Sequence, residues 1–301
     1  SLVTAYIKQR YPQRTLRTYG INLQPLPQDE SFYRDMVIKR YDIEHHEIHF
    51  NAIDFADSLP KAISHMEGPS AHYGCVLLMR LCERIRETDK VVLTGEGADE
   101  LFGGYARYGQ WKELKSLGQK ARLVPQILWP LMKRYRGAER YAHHDPAIVS
   151  SVYFDFLQIK QLFPDLFNAA GWREKVAGRF DDFRERMMAV DQSSYLSSLL
   201  IRQDKMSMAS SVEARVPFTH APLFRMANSI PHNLRIPGGI TKPLLKKIAE
   251  PYLPNDLLYR RKVGLSLPLD DWLRDPALLG RYVDDLVSPS SRLASFGDAK
   301  K

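Results

Sequence analysis

The sequence predicts an α/β fold, a doubly wound parallel sheet followed by a largely helical C-terminal half. Two observations indicate this fold class. Strand-like and helix-like stretches alternate up to Leu101, which is typical of parallel strands joined by helices, and strand signals fade beyond that residue. The chain of 301 residues, 44% of them hydrophobic, is long enough to bury a sizeable core.

The spacing of apolar residues gives the elements of the first half. In chain order the sequence predicts a helix at 2–11, a strand in the stretch 15–21 with its end at Gly20, a helix at 30–41, a strand at 43–50, helices at 53–66 and 76–86, and a buried strand at 90–94. The chain begins on a helix, without the preceding strand whose exit loop usually binds phosphate in such a sheet.

The second half is predicted to be mainly helical, chiefly at 181–212 and 241–253. Prolines between Pro217 and Pro268 divide the last third into short helices and ordered loops. The sequence contains no internal repeat, and no linker is long enough to require two independent domains.

Composition argues against several classes of protein. No apolar run approaches the roughly 18 to 20 residues of a membrane span, and the first residues lack the features of a signal peptide, so the default compartment is cytoplasmic. Cys75 and Cys82 lie on one helix face without zinc-ligand partners and are predicted to be buried thiols. No G-x-S-x-G elbow of a serine hydrolase is present.

Most of the net charge of +8 lies in one segment. Between Arg107 and Arg140, nine Lys or Arg residues stand against two Glu. Such a segment can face RNA, an anionic membrane or an acidic partner domain. A solvated basic helix with an apolar inner face is the favoured interpretation, because charge runs usually face solvent.

The stretch VVLTGEGADELFGG carries the strongest site signal. Its strand delivers Gly95 and Gly97 at the carboxyl end, where glycine allows positive φ and close approach to a ligand. Glu96, Asp99 and Glu100 follow. Three acids beside a glycine turn can bind Mg²⁺, which prefers one or two carboxylates plus water and phosphate oxygens, or can supply a general base. They can equally form the first turn of a helix, where acidic side chains interact favourably with the dipole.

Two further charged stretches are weaker candidates. In RQDKMSMASSVEARVPF, small residues surround charges that favour a paired buried network, with a phosphate pocket as the alternative. These charges are Asp204, Lys205, Glu213 and Arg215. In GGITKPLLKK, paired glycines precede Lys242, Lys246 and Lys247. A lysine after paired glycines can contact phosphate, although an ordinary basic helix start gives the same pattern.

The histidines of EHHEIHF suggest a metal cluster at first sight. Neighbours in a strand point to opposite faces, however, so His45 and His46 are not expected to share a metal with His49.

Five blocks follow one another along the chain: TYGI with DESFYRDMVIKRYDIEHHEIHF, VVLTGEGADELFGGYARY, DKMSMASSVEARVPF, GGITKPLLKK and RRKVGLSLPLDDWL. Together they resemble the C-terminal synthetase domain of the glutamine-dependent asparagine synthetase family, which includes the β-lactam and carbapenam synthetases. The resemblance implies a doubly wound sheet of the adenine nucleotide α-hydrolase or ATP-pyrophosphatase type. It also implies a ligase that uses ATP and Mg²⁺ to adenylate a carboxylate, and then forms an amide with ammonia derived from glutamine.

The resemblance assigns roles to single residues. By position in the matching blocks, Tyr19 corresponds to a strand-end residue whose backbone meets adenine, and Thr94 and Gly95 correspond to an ATP-contacting pair. Glu96 corresponds to a glutamate that forms and processes the adenylate, and Asp99 corresponds to a magnesium-binding aspartate. Lys242 corresponds to the lysine that stabilises pyrophosphate and the transition state.

The chain also departs from the family pattern. The family's phosphate loop, Ser-Gly-Gly-x-Asp-Ser, is absent, and Ser1 stands where that motif should end. Residues 1–301 are therefore expected to form a partial synthetase domain that lacks its first strand, its phosphate loop with a second magnesium-binding aspartate, and the glutaminase domain. We expect these residues alone to be inactive or badly impaired.

The acceptor substrate is less closely specified. Asparagine-forming members carry an arginine in the segment that matches Ala71 to Leu78, where this chain has none before Arg80, and the usual aspartate after VPF is replaced by Thr219 and His220. Aspartate is the default acceptor, and a carboxylate on a sugar or a peptide-like precursor is the alternative.

Two other functions are compatible with parts of the sequence. They are a tRNA-modifying enzyme of the ATP-pyrophosphatase fold, suggested by the basic segment, and a non-catalytic binding or scaffold protein. The family blocks argue against nucleic acid as a partner. The expected partners are a glutaminase domain and a small carboxylate, with no membrane, and a homodimer is left open.

Overall fold

The computed structural model of the protein describes residues 1–23, 31–68, 70, 72–125, 128, 140–142, 144–152, 171–260, 267–288, 290 and 291. The helices are α1 (Leu2–Arg10), α2 (Ser31–Tyr41), α3 (Ala52–Met66), α4 (Gly74–Arg86), α5 (Ala98–Phe102), α6 (Ala106–Gly109), α7 (Trp111–Arg122), α8 (Pro146–Val149), α9 (Gly171–Ala177), α10 (Phe183–Ser193), α11 (Tyr195–Met208), α12 (Ala221–Ser229), α13 (His232–Arg235), α14 (Pro243–Ala249), α15 (Asn255–Leu258), α16 (Leu269–Arg274) and α17 (Arg281–Val287). The strands are β1 (Arg17–Leu23), β2 (Glu44–Phe50), β3 (Val91–Leu93) and β4 (Glu213–Arg215).

Each helix and strand predicted before Leu101 is present, with ends that shift by up to a few residues; Glu30, the predicted start of α2, lies outside the described residues. Within the part of the chain that the structure describes, the strands form two parallel sheets of two strands each, β1 with β2 and β3 with β4. The architecture is therefore a mixed α/β one.

Strand β1 runs through Gly20 to Leu23, so the prediction that it ends at Gly20 is wrong. It pairs with β2 from Arg17 opposite Glu44 to Leu23 opposite Phe50. A Cβ atom on Gly20 would lie 3.1 Å from Cε1 of His45. The glycine thus allows the histidine ring to pack closely on the strand rather than forming a turn.

Strand β3 is less buried than the sequence predicts. Val91 and Leu93 are 44% and 45% exposed, whereas Val92 packs on the opposite side against Cys82 and Ile85 of α4. Val92 is only partly buried, so the prediction of a buried strand is wrong for all three residues of β3. The partner strand β4 escaped prediction because three residues, two of them charged, give no apolar strand pattern.

Helix α4 supplies much of the core beside the sheets. Its apolar residues recur at helical spacing, and Cys75, Met79 and Cys82 are 1% exposed or less. The predicted burial of both thiols on one helix face is confirmed. Burial raises the pKa of both, that of Cys82 to about 11, with the nearby Glu83 carboxylate adding to the rise.

Beyond Leu101, the described residues form mainly helices as predicted, with β4 as the strand among them. Helices α10 and α11 divide the predicted stretch 181–212 at Ser194, and short helices occupy the proline-rich last third. A separate hydrophobic core surrounds α10 and contains Tyr108, Phe183, Met187 and Ile236.

The chain divides into two compact units, which interleave along the sequence. The first contains Ser1–Gly95, Leu200–Pro217 and Leu245–Asp285, and the second contains Glu96–Leu199, Phe218–Leu244 and Leu286–Lys301. No helix among the described residues combines the length and the apolar character needed to cross a membrane.

Candidate functional site

In the first unit, β3 ends at Leu93 and is followed by Thr94 and Gly95. The Thr94 backbone N–H donates to the Arg215 carbonyl oxygen at 2.9 Å, which extends the pairing of β3 with β4 by one residue. The buried Thr94 Oγ1 has no hydrogen-bond partner among the described residues. A Cβ atom on Gly95 would meet nothing within 4 Å. The backbone of Gly95 is therefore accessible to a ligand.

In the second unit, the chain turns at Gly97 into helix α5. Of Gly95 and Gly97, Gly97 alone uses the positive φ that glycine allows, at +85°, and a Cβ atom on Gly97 would lie 3.1 Å from Cγ2 of Thr219. Asp99 and Glu100 lie in the first turn of α5, as the helix-start interpretation requires. Glu96 is partly buried just before the turn.

Asp99 and Lys242 meet at this helix. Lys242 Nζ lies 3.1 Å from Asp99 Oδ1, and their side chains are 26% and 24% exposed. The Lys242 backbone N–H donates to the Gly103 carbonyl oxygen at 3.1 Å. Lys242 stands directly before α14 and has a φ of +50°, in the left-handed region. A partly exposed carboxylate and a lysine are thus held side by side.

The carboxylate of Asp99 lies directly against the backbone of Gly104. A Cβ atom on Gly104 would be 1.7 Å from Asp99 Oδ1 and 2.5 Å from its Cγ, which no side chain allows. Only glycine at 104 leaves room for Asp99 in this position. Sequence reasoning did not assign a role to Gly104, since a second glycine after a helix also suits a simple turn.

Glu100 faces the other way from Asp99. It is 1% exposed and accepts a hydrogen bond from the Tyr105 hydroxyl. Burial raises the pKa of the Glu100 carboxyl, and burial together with the Glu100 charge raises the pKa of Tyr105. Consecutive acids on one short helix therefore occupy different environments, one open to a ligand and one enclosed.

Tyr19 lies on β1 in the first unit. Its ring stacks on His46 with 5.2 Å between centroids, and its hydroxyl donates to Asp89. Burial and this hydrogen bond raise the pKa of Tyr19. The residue also lines a cavity of about 260 Å³ with Thr18 and His45. The ring and hydroxyl of Tyr19 are thus engaged within the first unit.

The six predicted site residues are divided equally between the two units. Tyr19, Thr94 and Gly95 belong to the first unit, and Glu96, Asp99 and Lys242 belong to the second. Of these residues, Asp99 and Lys242 come into direct contact across a long stretch of sequence.

The chemistry of Asp99 and Lys242 fits a magnesium-bound phosphate. Mg²⁺ is usually held by one or two carboxylates together with substrate phosphates. Among the residues described, no group of three or more His, Cys, Asp or Glu side chains is arranged to hold a metal. Asp99 can therefore offer one ligand to a Mg²⁺ ion that a nucleotide brings with it.

The other charged stretches form ordinary pairs. Lys205 contacts Glu67 at 2.6 Å, and Glu213 pairs with Arg215 at 2.8 Å on the exposed surface. The predicted buried network among Asp204, Lys205, Glu213 and Arg215 is therefore wrong: Glu213 and Arg215 alternate on the short strand β4 and both face solvent. Lys247 forms a surface pair with Glu250 at 2.7 Å.

The histidines and the basic segment adopt simple arrangements. His45 Nδ1 lies 2.9 Å from Thr18 Oγ1, whereas His46 stacks on Tyr19, so the two rings occupy opposite faces as predicted. In the basic segment, α7 buries Gly118 and Ala121 and exposes its charges, as a solvated basic helix does. The exposed basic residues of α7 are Lys112, Lys115, Lys120 and Arg122. Residues 126, 127 and 129–139 lie outside the described part.

Comparison with known proteins adds an independent line of evidence. The chain matches the family described as asparagine synthase over residues 1–301. It is 30% identical over 253 residues to a Mycobacterium bovis protein provisionally named as a glutamine-hydrolyzing asparagine synthetase, covering 76% of this chain and 37% of that protein. It is 28% identical over 305 residues to asparagine synthetase (glutamine-hydrolyzing) 1 of Bacillus subtilis, covering 96% of this chain and 48% of the relative.

A mammalian relative extends the comparison. The chain is 24% identical over 312 residues to the asparagine synthetase (glutamine-hydrolyzing) of Mus musculus, covering 98% of this chain and 42% of that protein. The chain thus spans less than half the length of these three relatives. The match from the first residue to the last shows that the chain belongs to the asparagine synthase family.

Proposed function

We propose that the chain is the ATP-dependent, amide-forming domain of a ligase of the asparagine synthase (glutamine-hydrolysing) type. In this reaction a carboxylate attacks the α-phosphate of ATP to give an acyl-adenylate and pyrophosphate, and ammonia then displaces AMP. The observation that carries the proposal is the 3.1 Å contact between Lys242 Nζ and Asp99 Oδ1. It pairs a carboxylate for a divalent cation with a cation for a departing phosphate, the two charges that pyrophosphate release needs.

The proposed roles follow the positions of the residues. Asp99 would hold Mg²⁺, which when bound offsets part of the negative charge of the phosphates. Lys242 stabilises the charge that develops on pyrophosphate as it leaves. Thr94 and Gly95 contact ATP, the Tyr19 backbone contacts adenine, and Glu96 assists formation and turnover of the adenylate.

We also propose that residues 1–301 belong to one synthetase domain built on a doubly wound parallel sheet. In support, α4 packs against both β1 and β3, through Tyr19 and Val92, and Arg17 at the start of β1 pairs at 2.8 Å with Asp89, just before β3. A further strand between β1 and β3 would join the two sheets. A structure of the full-length gene product tests this proposal.

Aspartate is the default acceptor, and a glutaminase domain in the cytoplasm would supply ammonia. The segment that matches the acceptor site in asparagine-forming relatives lacks an arginine before Arg80. The acceptor therefore needs a direct test with carboxylates other than aspartate.

The first experiment measures pyrophosphate release by the full-length gene product with MgATP, ammonia or glutamine, and a panel of carboxylates. Release that depends on one carboxylate, with AMP and the matching amide detected by mass spectrometry, is the expected result. If no carboxylate on the panel stimulates pyrophosphate release above the ATP-only rate, the proposed reaction is wrong.

The second experiment replaces Lys242 with alanine. We expect kcat to fall about a hundredfold or more while the KM for ATP changes little, because stabilisation of developing charge counts chiefly in the transition state. Lys247→Ala is the matched control, since Lys247 lies in the same segment and pairs with Glu250 on the surface. Normal pyrophosphate release by the Lys242 variant would refute its assigned role.

A further inference from the structure

A buried polar network lies behind the short helix that carries Asp99. Successive side chains leave a helix about 100° apart, since it has 3.6 residues per turn, so Asp99 and Glu100 face different surroundings. Asp99 faces Lys242, whereas Glu100 is 1% exposed and accepts a hydrogen bond from Tyr105. The two acids lie on the same turn of helix and thus contact different residues, Lys242 and Tyr105.

Tyr105 is itself held by its ring. The Arg107 guanidinium carbon lies 4.1 Å from the ring centroid, and the Tyr195 ring packs edge-on at 5.6 Å. Arg107 also pairs with Asp191 at 2.7 Å, and the Tyr108 hydroxyl donates to the same carboxylate oxygen of Asp191 at 2.5 Å. Because Asp191 is 1% exposed, this pairing is sheltered from water.

Helix α10 reaches α5 at a second point. Gln192, the residue after Asp191, donates from Nε2 to the Glu100 carbonyl oxygen at 3.1 Å. Helix α10 therefore contacts Glu100 of α5 in two ways. Gln192 binds the Glu100 backbone directly, and Asp191 reaches the Glu100 side chain through Arg107 and Tyr105. A helix of five residues cannot fix its own orientation, because isolated short helices are marginal in water.

We infer that Tyr105 is a positioning residue that, through Glu100, sets the rotation of α5 and thereby aims the Asp99 carboxylate at Lys242 and at the metal-bound phosphates. This inference rests on the proposed function, since it concerns how Asp99 meets Mg²⁺. It adds a support that neither the glycine turn nor the pairing with Lys242 provides.

The test replaces Tyr105 with phenylalanine in the full-length gene product. This change removes the hydroxyl and keeps the ring between Arg107 and Tyr195. Mn²⁺ serves as the probe, and its binding in the presence of ATP is measured by electron paramagnetic resonance. We expect Mn²⁺ affinity to fall about tenfold, as happens when groups that orient a metal ligand are removed. The Mg²⁺ concentration for half-maximal pyrophosphate release should rise in parallel, and excess Mg²⁺ should restore most of kcat.

Tyr141→Phe is the matched control. Tyr141 is also buried in the second unit, and Arg140 both lies over its ring, 4.8 Å from the centroid, and donates to its hydroxyl at 2.9 Å. Its replacement should leave Mn²⁺ affinity within about twofold of the wild type. The inference is overturned if Tyr105→Phe binds Mn²⁺ as the wild type does, or if both variants lose affinity by the same factor.

The outcome separates this inference from the proposed function. If the wild type binds Mn²⁺ with ATP but releases no pyrophosphate, the proposed reaction fails, and the relative affinity of Tyr105→Phe still decides the positioning role. If the wild type binds no Mn²⁺ with ATP, the role of Asp99 and this inference fail together.

Discussion

At the scale of single residues, Gly104 determines where the Asp99 carboxylate can lie. The backbone at Gly104 does not require glycine for its conformation, since its φ is outside the positive range. Space is the constraint, because a Cβ atom would be 1.7 Å from Asp99 Oδ1. A methyl group at this position has to displace the carboxylate from Lys242.

We therefore predict that Gly104→Ala disrupts the Asp99 site. Overpacking of this kind typically lowers stability by about 1–3 kcal/mol, and displacement of the carboxylate should weaken Mn²⁺ binding as well. Gly109→Ala is a suitable control, because its Cβ atom would make an ordinary contact of 3.6 Å with the Gly239 backbone nitrogen. Urea unfolding and Mn²⁺ binding measure the two effects. Wild-type Mn²⁺ affinity in Gly104→Ala would show that Asp99 can move without loss.

At the scale of elements, an ion pair links the start of β1 to the approach to β3. Asp89 accepts hydrogen bonds from Tyr19 and Arg17, and the first of these is the main cause that holds the pKa of Asp89 below its usual value. A carboxyl with a lowered folded-state pKa adds stability above its unfolded pKa of about 3.9. That contribution is lost as pH falls through the lower folded-state pKa.

We predict that Asp89→Asn lowers the free energy of unfolding at pH 7 by about 1 kcal/mol or less, because the pair is partly open to solvent. The difference from the wild type should shrink as pH falls below about 4. Urea titrations across this pH range provide the measurement, with Asp57→Asn on the exposed face of α3 as the control. A difference that grows on acidification has the wrong sign for this mechanism.

At the scale of the whole molecule, the two compact units interleave along the chain. The first unit needs residues 200–217 and 245–285 as well as 1–95. The first of these segments supplies β4 and the core residue Met206, and the second supplies Ala249 and Leu253 to the core around α1.

We predict that residues 1–95 do not fold alone. Without the later segments, β3 has no partner strand and the α1 core loses its inner residues, so too little apolar surface is buried to offset chain entropy. Circular dichroism and amide NMR of the isolated fragment should show a largely unfolded chain. Well-dispersed amide signals from residues 1–95 would contradict this expectation and show that the first unit is contiguous in practice.

The sequence by itself determined the alternation of strands and helices before Leu101 and the burial of Cys75 and Cys82. These features depend on neighbours a few residues apart, so periodicity and residue type reveal them. The family blocks also singled out Asp99 and Lys242, and the family match supports the membership they implied.

Only the tertiary structure decided which distant groups meet. Three of these contacts join segments far apart in the chain: Lys242 with Asp99, β4 with β3, and the network from Asp191 to Glu100. The exposure of Val91 likewise depends on what packs around β3. Such contacts depend on how whole elements pack, and packing leaves no periodic trace in the sequence. The sequence pattern around a charged residue does not predict whether its side chain forms an exposed surface pair, as Glu213 does, or is buried, as Glu100 is.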